Sequence, residues 1–402
     1  MTRSILVPLC AALVHTGCVK SVIPQYEAAR DRALAEPPPV SEGWRPDAVM
    51  ALSAEALEPV IQQVLEQQGT LSETIDLKVG SATPKLTISD LTLRGTKRCE
   101  GCIRVDAELT GSLRWVTPVA SGRQSLDASL SLDAVVQAVE DAGQWQVRIA
   151  PRNLRDIDVD IGGKTLSYAE APVREWINQN LLADIPPQTL ATLGNADLPL
   201  RAIRIDAKGA TVQLELRTRS QSTQNLDSDD TPLHEGWQLT IADSTLTQLA
   251  AAASFQNGEV GYSIVPEPLS FSLTENQEFA LRLRLWKTKG RGWWRDYQIT
   301  GTTSLRGRGL RLEPTAVEET GQSPGANVVD PLAMIGEGVI LNTLEKALTT
   351  SLPMRHRSDL GGIESTAKIT HISPHTEAIR LSGTLEVSTV KAPKKPSKRA
   401  PR

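Results

Sequence analysis

Residues 103–115 read IRVDAELTGSLRW, a stretch in which apolar and polar residues alternate without interruption. Because successive side chains of a β-strand point to opposite faces of a sheet, this order puts the apolar side chains on one face. That face carries Ile103, Val105, Ala107, Leu109, Gly111, Leu113 and Trp115. Thirteen alternating residues exceed the usual strand length of about five or six. The stretch predicts a long strand in an antiparallel sheet that is buried on one side.

The same alternation recurs along the chain, between segments in which apolar residues recur every three or four positions. Strands are predicted at residues 86–94, 126–132, 145–149, 157–161, 203–207, 212–216, 260–265, 269–273, 279–285, 297–305, 366–372 and 379–387. Helices are predicted at residues 52–68, 165–182, 244–255 and 331–350. In both halves a helix, several strands, a longer helix and a strand pair follow one another. This order indicates an internal duplication, the alternative being two unrelated α+β domains.

The order of elements over residues 52–387 resembles that of the tubular lipid-binding superfamily, which includes domains like those of bactericidal/permeability-increasing protein. The resemblance rests on element order and strand length and has no signature motif. It implies an α+β fold of two tandem domains, each a long curved antiparallel sheet wrapped around long helices. The domains would span residues 47–218 and 237–389, joined by a linker at 219–236 that is rich in Ser, Thr, Asn and Asp.

The resemblance also implies that acyl chains bind in an apolar groove between helix and sheet. Apolar residues make up 40% of the chain and aromatic residues only 4%, so stripes of Leu, Ile, Val and Ala could pack against flexible acyl chains. The same stripes could instead form two filled cores, and the sequence leaves both readings open. The candidate groove-lining residues are Val60, Val64, Leu109, Leu113, Ile177, Leu281, Leu283, Ile340 and Leu344.

The N-terminus has the layout of a secretory signal peptide at residues 1–17. Arg3 precedes about ten apolar residues, too few to span a bilayer, and small residues follow. Gly17-Cys18 resembles the cleavage box of bacterial lipoproteins, in which the cysteine is lipidated, although His15 stands where that family usually has Leu. With Val19 after the cysteine, the resemblance implies the periplasm-facing side of the outer membrane. The alternative is an ordinary cleaved signal with an incidental Cys18. Residues 18–46 would form a tether.

Cys99 and Cys102 are the cysteines that remain beyond the signal peptide and Cys18. Their spacing is that of a redox motif, but a thioredoxin-type site needs its first cysteine at a helix N-terminus. Here the pair falls between two predicted strands, which favours a structural disulfide in an oxidising compartment. A catalytic dithiol stays open because Lys97, Arg98 and Arg104 would lower the thiol pKa.

Aromatic and basic residues cluster at residues 286–297, between two predicted strands. Indole rings beside cations suit a membrane–water interface, so membrane or lipopolysaccharide contact is one hypothesis for Trp286, Arg291, Trp293, Trp294 and Arg295. The alternative is that the indole rings pack locally. The basic tail at residues 390–402 is expected to be disordered, where it either touches anionic headgroups or merely aids solubility.

Catalytic and metal-binding motifs are absent from the sequence. Of the four histidines beyond the signal peptide, His371 and His375 flank Pro374 in a strand–turn context, which makes them a poor metal pair, and no cysteine accompanies them. There is neither a nucleophile elbow nor a phosphate loop. Residues 4–390 carry 36 Lys and Arg against 47 Asp and Glu, which argues against nucleic-acid binding. We therefore expect a non-enzymatic envelope lipoprotein, without cofactor or metal, that binds or carries hydrophobic ligands. A scaffold of an envelope complex is the alternative, and a CxxC oxidoreductase is a third.

Overall fold

The computed structural model describes residues 21–326 and 355–389, apart from short gaps. The gaps are at residues 69–70, 78, 97–98, 100, 142–143, 163–166, 185–186, 194–198, 210, 221, 227–232, 234, 261, 275, 291, 307–308, 325 and 360–362. The predicted signal peptide, Cys18, the helix at 331–350 and the tail at 390–402 therefore lie outside the described residues.

The chain before residue 219 contains three helices and ten strands among its described residues. They are α1 (Ile23–Leu34), β1 (Ala48–Leu52), α2 (Ala54–Gln68), β2 (Leu71–Ser72), β3 (Ile75–Leu77), β4 (Gly80–Gly95), β5 (Cys102–Val116), β6 (Ser121–Asp141), β7 (Gln144–Ile161), α3 (Ser167–Asp184), β8 (Gln188–Leu193), β9 (Leu200–Lys208) and β10 (Thr211–Thr218). The helix predicted at residues 52–68 is confirmed as α2, and Ser53 caps it by accepting a hydrogen bond from the Ala56 backbone N–H at 3.1 Å.

The chain after residue 236 contains one helix and eight strands among its described residues. They are β11 (Trp237–Ala242), α4 (Asp243–Asn257), β12 (Ile264–Leu273), β13 (Glu278–Lys287), β14 (Trp293–Arg306), β15 (Gly309–Gln322), β16 (Arg355–Asp359), β17 (Ile363–His375) and β18 (Ala378–Thr389). None of the helices in the described part of the chain is long and apolar enough to cross a membrane.

The strands form three antiparallel sheets. One contains β2 and β4 to β8 with β3 beside β4, and a second contains β12 to β15 in chain order. The third has the order β16-β17-β18-β11-β1-β10-β9, so strands from both halves of the chain meet where β1 pairs with β11. Each half gives this central sheet the strand before a helix and a closing hairpin.

The stretch that opened the sequence argument is confirmed as β5. Its apolar face belongs to one continuous core, in which Leu109 is 1% exposed and Leu113 is fully buried. Gly111 interrupts the apolar stripe because β4 passes too close for a side chain, since a Cβ there would lie 1.8 Å from the Lys85 carbonyl oxygen. The neighbouring β6 and β7 span 21 and 18 residues, longer than predicted.

The predicted fold class is wrong. Strand residues account for 62% and helical residues for 18% of the structure, in three antiparallel sheets rather than one curved sheet around long helices in each tandem domain. The helices in the described residues span 12 to 18 residues. The physical reason is that strand residues themselves fill the interior. Buried side chains of all three sheets contact one another in a single core, joined by residues of α2, α3 and α4.

Helix α1 lies within the segment expected to be a tether. Pro24 stands in its first turn, a position that proline tolerates because the N–H there needs no helical partner. Tyr26, Ala29 and Ala33 are spaced three and four residues apart and therefore share one face. Ala29 is buried against the second sheet and α4. Residues 23–34 are thus part of the folded body.

Candidate functional site

Helix α1 covers the outer face of the second sheet. Along β13, Leu281, Leu283 and Leu285 point into the main core, so Arg284 and Trp286 point outwards. Tyr26 of α1 contacts this outer face with its ring centroid 5.9 Å from that of Trp286 and 5.8 Å from that of Phe255 in α4. A small apolar cluster, separate from the main core, holds α1 in place.

Trp286 is the centre of this cluster and is only 1% exposed. Its indole Nε1 donates a hydrogen bond to Glu267 Oε2 at 2.6 Å. The neighbouring Trp294 donates from its Nε1 to Gln25 Oε1 of α1 at 3.1 Å. Both indoles are therefore engaged by polar partners, and one of those partners comes from α1 itself.

Arg284 lies between the two indole rings. Its guanidinium carbon is 4.2 Å from the Trp294 ring centroid and 5.3 Å from that of Trp286. The same group donates two hydrogen bonds to Asp296, at 2.6 and 2.8 Å, in a bidentate pair. Stacking and ion pairing together fix this side chain on the sheet.

A cavity of about 630 Å³ lies between α1, α4, β12 and β13, and we call it the α1–α4 cavity. Five alanines of the two helices contribute to its walls, and Gln25, Ser220, Thr247 and Gln248 add polar surface. The wall alanines are Ala28, Ala29 and Ala33 of α1 and Ala251 and Ala252 of α4. Leu249, Leu269 and Trp286 add larger apolar surface. The volume is within the range of about 300–1,000 Å³ typical of small-molecule sites.

Four charged side chains line the α1–α4 cavity. Arg32 and Arg219 are solvent-exposed and mark its mouth, whereas Arg284 and Glu267 are partly buried deeper inside. Burial raises the pKa of Glu267. The hydrogen bond from Trp286 and the positive charges of the nearby Arg284 and Arg32 oppose that rise. The lining of the cavity is therefore mixed, with alanine, leucine and indole surface beside polar and charged side chains.

Two further cavities have a more polar lining. One of about 490 Å³ lies on the central sheet beside residues 224–226 and is lined by Gln213, Gln238 and Thr240. Another of about 570 Å³ lies at the start of α4, where burial and then the charge of Glu377 raise the pKa of Asp243 to about 6. No group of His, Cys, Asp and Glu within the described residues could hold a metal ion.

The predicted groove-lining residues lie elsewhere. Six of them are buried in the main core and line none of the three cavities: Val60, Leu109, Leu113, Ile177, Leu281 and Leu283. The Val64 side chain, Ile340 and Leu344 are outside the described residues. Where the structure describes them, the predicted lining residues are buried in the main core, and their role in ligand binding stays a prediction.

The predicted membrane-contact residues are partly covered by the chain itself. Trp286 and Trp294 lie under α1, and Trp293 packs against the main core. Arg295 is 7% exposed and pairs with Glu319 at 2.9 Å, while Arg291 lies outside the described residues. These contacts match the alternative in which the indole rings pack locally against the protein rather than against a membrane.

Cys99 and Cys102 form a disulfide, as predicted, with their Cα atoms 5.5 Å apart. Cys102 begins β5 and is fully buried, and the pair connects β4 to β5 rather than preceding a helix. This connection between two strands lacks the helix N-terminus that thioredoxin-type sites use.

Sequence reasoning missed the residues of the α1–α4 cavity because residues 18–46 were taken as a tether. The signal that could have found α1 is the spacing of Tyr26, Ala29 and Ala33 after Pro24. The alanine run at residues 250–253 of α4 was predicted to be helical, but nothing in the sequence brings it next to residues 28–33.

Comparison with known proteins gives structural neighbours of limited similarity. No family model matches the chain, and no curated protein sequence matches it. A crystal structure of lipopolysaccharide binding protein is 12% identical and covers 87% of this chain and all of its own, with a TM-score of 0.34. P47 of Clostridium botulinum E1 is 9% identical over 85% of this chain and all of its own, with a TM-score of 0.40. P47 from Clostridium botulinum A2 is 9% identical over 84% of this chain and 97% of its own, with a TM-score of 0.38.

Proposed function

We propose that this chain is a lipid-anchored, non-enzymatic protein of the bacterial cell envelope that binds or carries lipids or other hydrophobic molecules on the periplasmic side of the outer membrane. The observation that carries the binding role is the α1–α4 cavity. It is large enough for a small amphiphile, and alanine, leucine and indole side chains form the apolar part of its lining. Each ligand methylene that leaves water for such walls stabilises the complex by about 0.8 kcal/mol.

The position of α1 supports a link between the anchor and the cavity. Five peptide links separate Cys18, the proposed lipidation site, from Ile23 at the start of α1. At a maximum of about 3.6 Å per residue, this length keeps the start of α1 within about 18 Å of the lipidated residue. A wall of the cavity would then stand close to the membrane surface, where an apolar ligand could enter or leave.

Cavity filling tests the binding role. Ala252→Phe places a ring in the cavity wall, and Ala253→Phe makes the same change at the next residue, which does not line the cavity. After purification of the full chain from the bacterial envelope, native mass spectrometry and lipid extraction should find a lipid-like molecule with the wild type and Ala253→Phe. Ala252→Phe should lack it. Wild-type protein that is compact and free of ligand would overturn the proposal.

The anchor has its own test. Cys18→Ala should move the protein from the membrane fraction to the soluble periplasmic fraction. Metabolic labelling with palmitate should mark the wild type only. Equal membrane association of both proteins without label in either would contradict lipidation at Cys18.

A scaffold role in an envelope complex is the second candidate, and one observation favours it. Six of the predicted groove-lining residues are buried in contact with one another in the main core, as expected if they stabilise the fold rather than bind a ligand. Under this alternative the purified protein would carry no lipid, and chemical cross-linking in cells would join it to other envelope proteins.

A further inference from the structure

One end of the sheet that contains β4 to β7 carries several exposed apolar side chains. Val79, Val116 and Val119 are 58%, 43% and 93% exposed, and they are three of the six large apolar residues that are exposed in the described part of the chain. Val116 ends β5, Val119 lies in the turn to β6, and Val79 lies in the turn between β3 and β4. The two turns touch, because a side chain at residue 80 would clash with the Val116 carbonyl oxygen. We call residues 79–80 and 116–121 the valine tip.

The turn at residues 117–120 bonds most of its own backbone donors. The Thr117 N–H donates to the Ala120 carbonyl oxygen at 2.8 Å, and the Ala120 N–H donates to Thr117 Oγ1 at 3.1 Å. Pro118 has no N–H, so that of Val119 is the remaining backbone donor of these four residues. Backbone that enters hydrocarbon must have its polar groups bonded within the protein. The turn therefore suits burial in an apolar phase better than an ordinary loop does.

Two arginine side chains lie directly behind the valine tip. Arg114 and Arg123 occupy opposite positions on β5 and β6, and both are exposed. Like charges at opposite positions of neighbouring strands lower the stability of a sheet, unless an anion binds beside them. The pair therefore indicates an anionic partner at this end of the sheet.

Acidic residues near the arginine pair lie to one side of it or further back. Glu73 and Asp76 lie across β4 from β5, and β4 itself carries the exposed Lys85. On β6 the first acidic residue is Asp127, four positions after the arginine, which is about 13 Å along the strand. That distance exceeds the Debye length of about 8 Å at physiological ionic strength. A surface that meets the tip of the β5–β6 hairpin therefore meets the two guanidinium groups before it meets an acid of these strands.

The order of side chains along β5 matches the layers of a bilayer surface. Val116 lies two residues beyond Arg114, about 7 Å along the strand, and Val119 lies beyond it. The headgroup layer on each side of a bilayer is about 5–8 Å thick. Trp115 stands between the two levels, with its indole against Gly122, and indoles are favoured at this depth. Valines in the hydrocarbon would place the guanidinium groups level with lipid phosphates, which arginine binds through paired hydrogen bonds.

We infer that the valine tip is a membrane-docking surface, which inserts Val116 and Val119 into a bilayer of anionic phospholipids while Arg114 and Arg123 bind the lipid phosphates. This surface is separate from the proposed lipid anchor, from the α1–α4 cavity and from the aromatic cluster at residues 286–297. The inference goes beyond the proposed function and does not depend on it.

The test measures binding of the full chain to lipid vesicles. Cys10→Ala with Cys18→Ala ensures that neither an acyl anchor nor an additional thiol contributes, and we call this protein the parent. Flotation compares vesicles of phosphatidylglycerol and phosphatidylcholine in equal parts with vesicles of phosphatidylcholine alone. The parent should bind the anionic vesicles at least tenfold more tightly.

A fluorescent label at residue 119 reports insertion directly. Val119→Cys carrying the fluorophore NBD should brighten on the anionic vesicles and be quenched by lipids that carry a nitroxide on the acyl chain. Thr110→Cys places the same label at an exposed residue of β5, six positions before Val116. That label should stay in water and escape the quencher.

The apolar contact is tested by a charge at the tip. Val119→Asp should weaken binding to the anionic vesicles at least tenfold, because the valine contact with hydrocarbon is lost and a carboxylate would have to enter it. Tyr262→Asp introduces the same charge at another apolar residue, 62% exposed and outside the valine tip. It should bind as the parent does.

The arginine pair is tested by a double variant with a control of equal charge. Arg114→Gln with Arg123→Gln should weaken binding to the anionic vesicles roughly thirtyfold and leave binding to neutral vesicles unchanged. Arg282→Gln with Arg311→Gln removes the same charge from exposed positions of the second sheet, and it should keep the binding of the parent. Circular dichroism establishes that each variant is folded.

Several outcomes would overturn the inference. They are a parent that does not bind the anionic vesicles, a label at residue 119 that stays in water on bound vesicles, and unweakened binding by Val119→Asp. If the vesicles do not bind but a photo-cross-linking residue at position 119 captures a protein in cells, the tip docks on that protein and the lipid assignment is wrong. The two vesicle types and the two label positions decide the matter even where a charge variant does not fold.

Discussion

Asp47 accepts two hydrogen bonds from Thr218, one from the backbone N–H at 2.9 Å and one from the side-chain hydroxyl at 2.8 Å. Ser220 donates a third at 3.1 Å, and the Arg217 guanidinium lies 3.7 Å away. The Asp47 side chain is fully buried, and burial raises its pKa against the opposing effect of these partners. The residue that precedes β1 is thereby fixed to the end of β10.

Asp47→Ala should lower the free energy of unfolding by about 3–5 kcal/mol, because it leaves buried donors and a nearby guanidinium without their acceptor. Urea denaturation followed by circular dichroism measures the change. Asp31→Ala removes a carboxylate whose side chain is 68% exposed, and it should change stability by no more than about 0.5 kcal/mol. Similar values for the two variants would show that the Asp47 bonds contribute little.

Asp243 should make stability depend on pH. Its pKa is raised from the ordinary 3.8 to about 6 by burial and by Glu377, and its Oδ1 makes no hydrogen bond to a described residue. Because folding raises the pKa of Asp243, protonation of this carboxyl favours the folded state. Its contribution to the free energy of unfolding is full below pH 3.8 and is lost as the pH rises through 6. The melting temperature of Asp243→Asn relative to the wild type should therefore rise between pH 4 and pH 7.

The partner carboxylate provides the control for this pH dependence. Glu377→Gln removes the like charge, so the pKa of Asp243 should fall towards its ordinary value. In the Glu377→Gln protein, the change in melting temperature caused by Asp243→Asn should therefore vary less between pH 4 and pH 7. A melting-temperature difference that is constant from pH 4 to pH 7 in both backgrounds would contradict the raised pKa.

Ala29→Asp should release α1 from the second sheet. Ala29 is 5% exposed and contacts the cluster around Trp286, so a charge there would be buried without a partner. Trypsin should then cut at Arg30 and Arg32 faster than in the wild type, and ligand binding in the α1–α4 cavity should be lost. Leu34→Asp introduces the same charge at an exposed residue of α1 that does not line the cavity, and it should keep the wild-type cleavage rate. Unchanged cleavage of Ala29→Asp would mean that α1 is held by other contacts.

The disulfide should contribute only modestly to stability. Cys99 and Cys102 are three positions apart, so the loop that they close is short and its closure restricts the unfolded chain little. The loop-entropy relation gives about 2 kcal/mol for Cys99→Ala with Cys102→Ala, which denaturation in urea can measure. A catalytic pair would instead show an acidic thiol on titration of the reduced protein.

Individual helices and strands were predictable where the apolar residues of a segment follow a single helical or strand spacing throughout. The alternation at residues 103–115 gave β5, and the spacing of apolar residues at 52–68 gave α2. The disulfide followed from two cysteines between two strands. In each case the decisive interactions lie within a short segment or between neighbours in sequence.

The arrangement of those elements was not predictable in the same way. Hydrophobic periodicity identifies the buried face of a strand, such as that of Leu281 and Leu283, but not the element that covers it. The opposite face of this strand carries Trp286, and it is covered by α1, at residues 23–34, more than 250 positions away in the sequence. The candidate cavity depends on that long-range contact, and so its residues escaped prediction.

Strand β1 has only five residues, yet it pairs with β10 on one side and β11 on the other. Proteolytic cleavage of the chain once within residues 227–232 would therefore not separate the protein into two independent fragments. The N-terminal fragment would retain β1, the C-terminal fragment would retain β11, and the backbone bonds between them would remain. Both fragments should elute together from a sizing column and come apart only in denaturant.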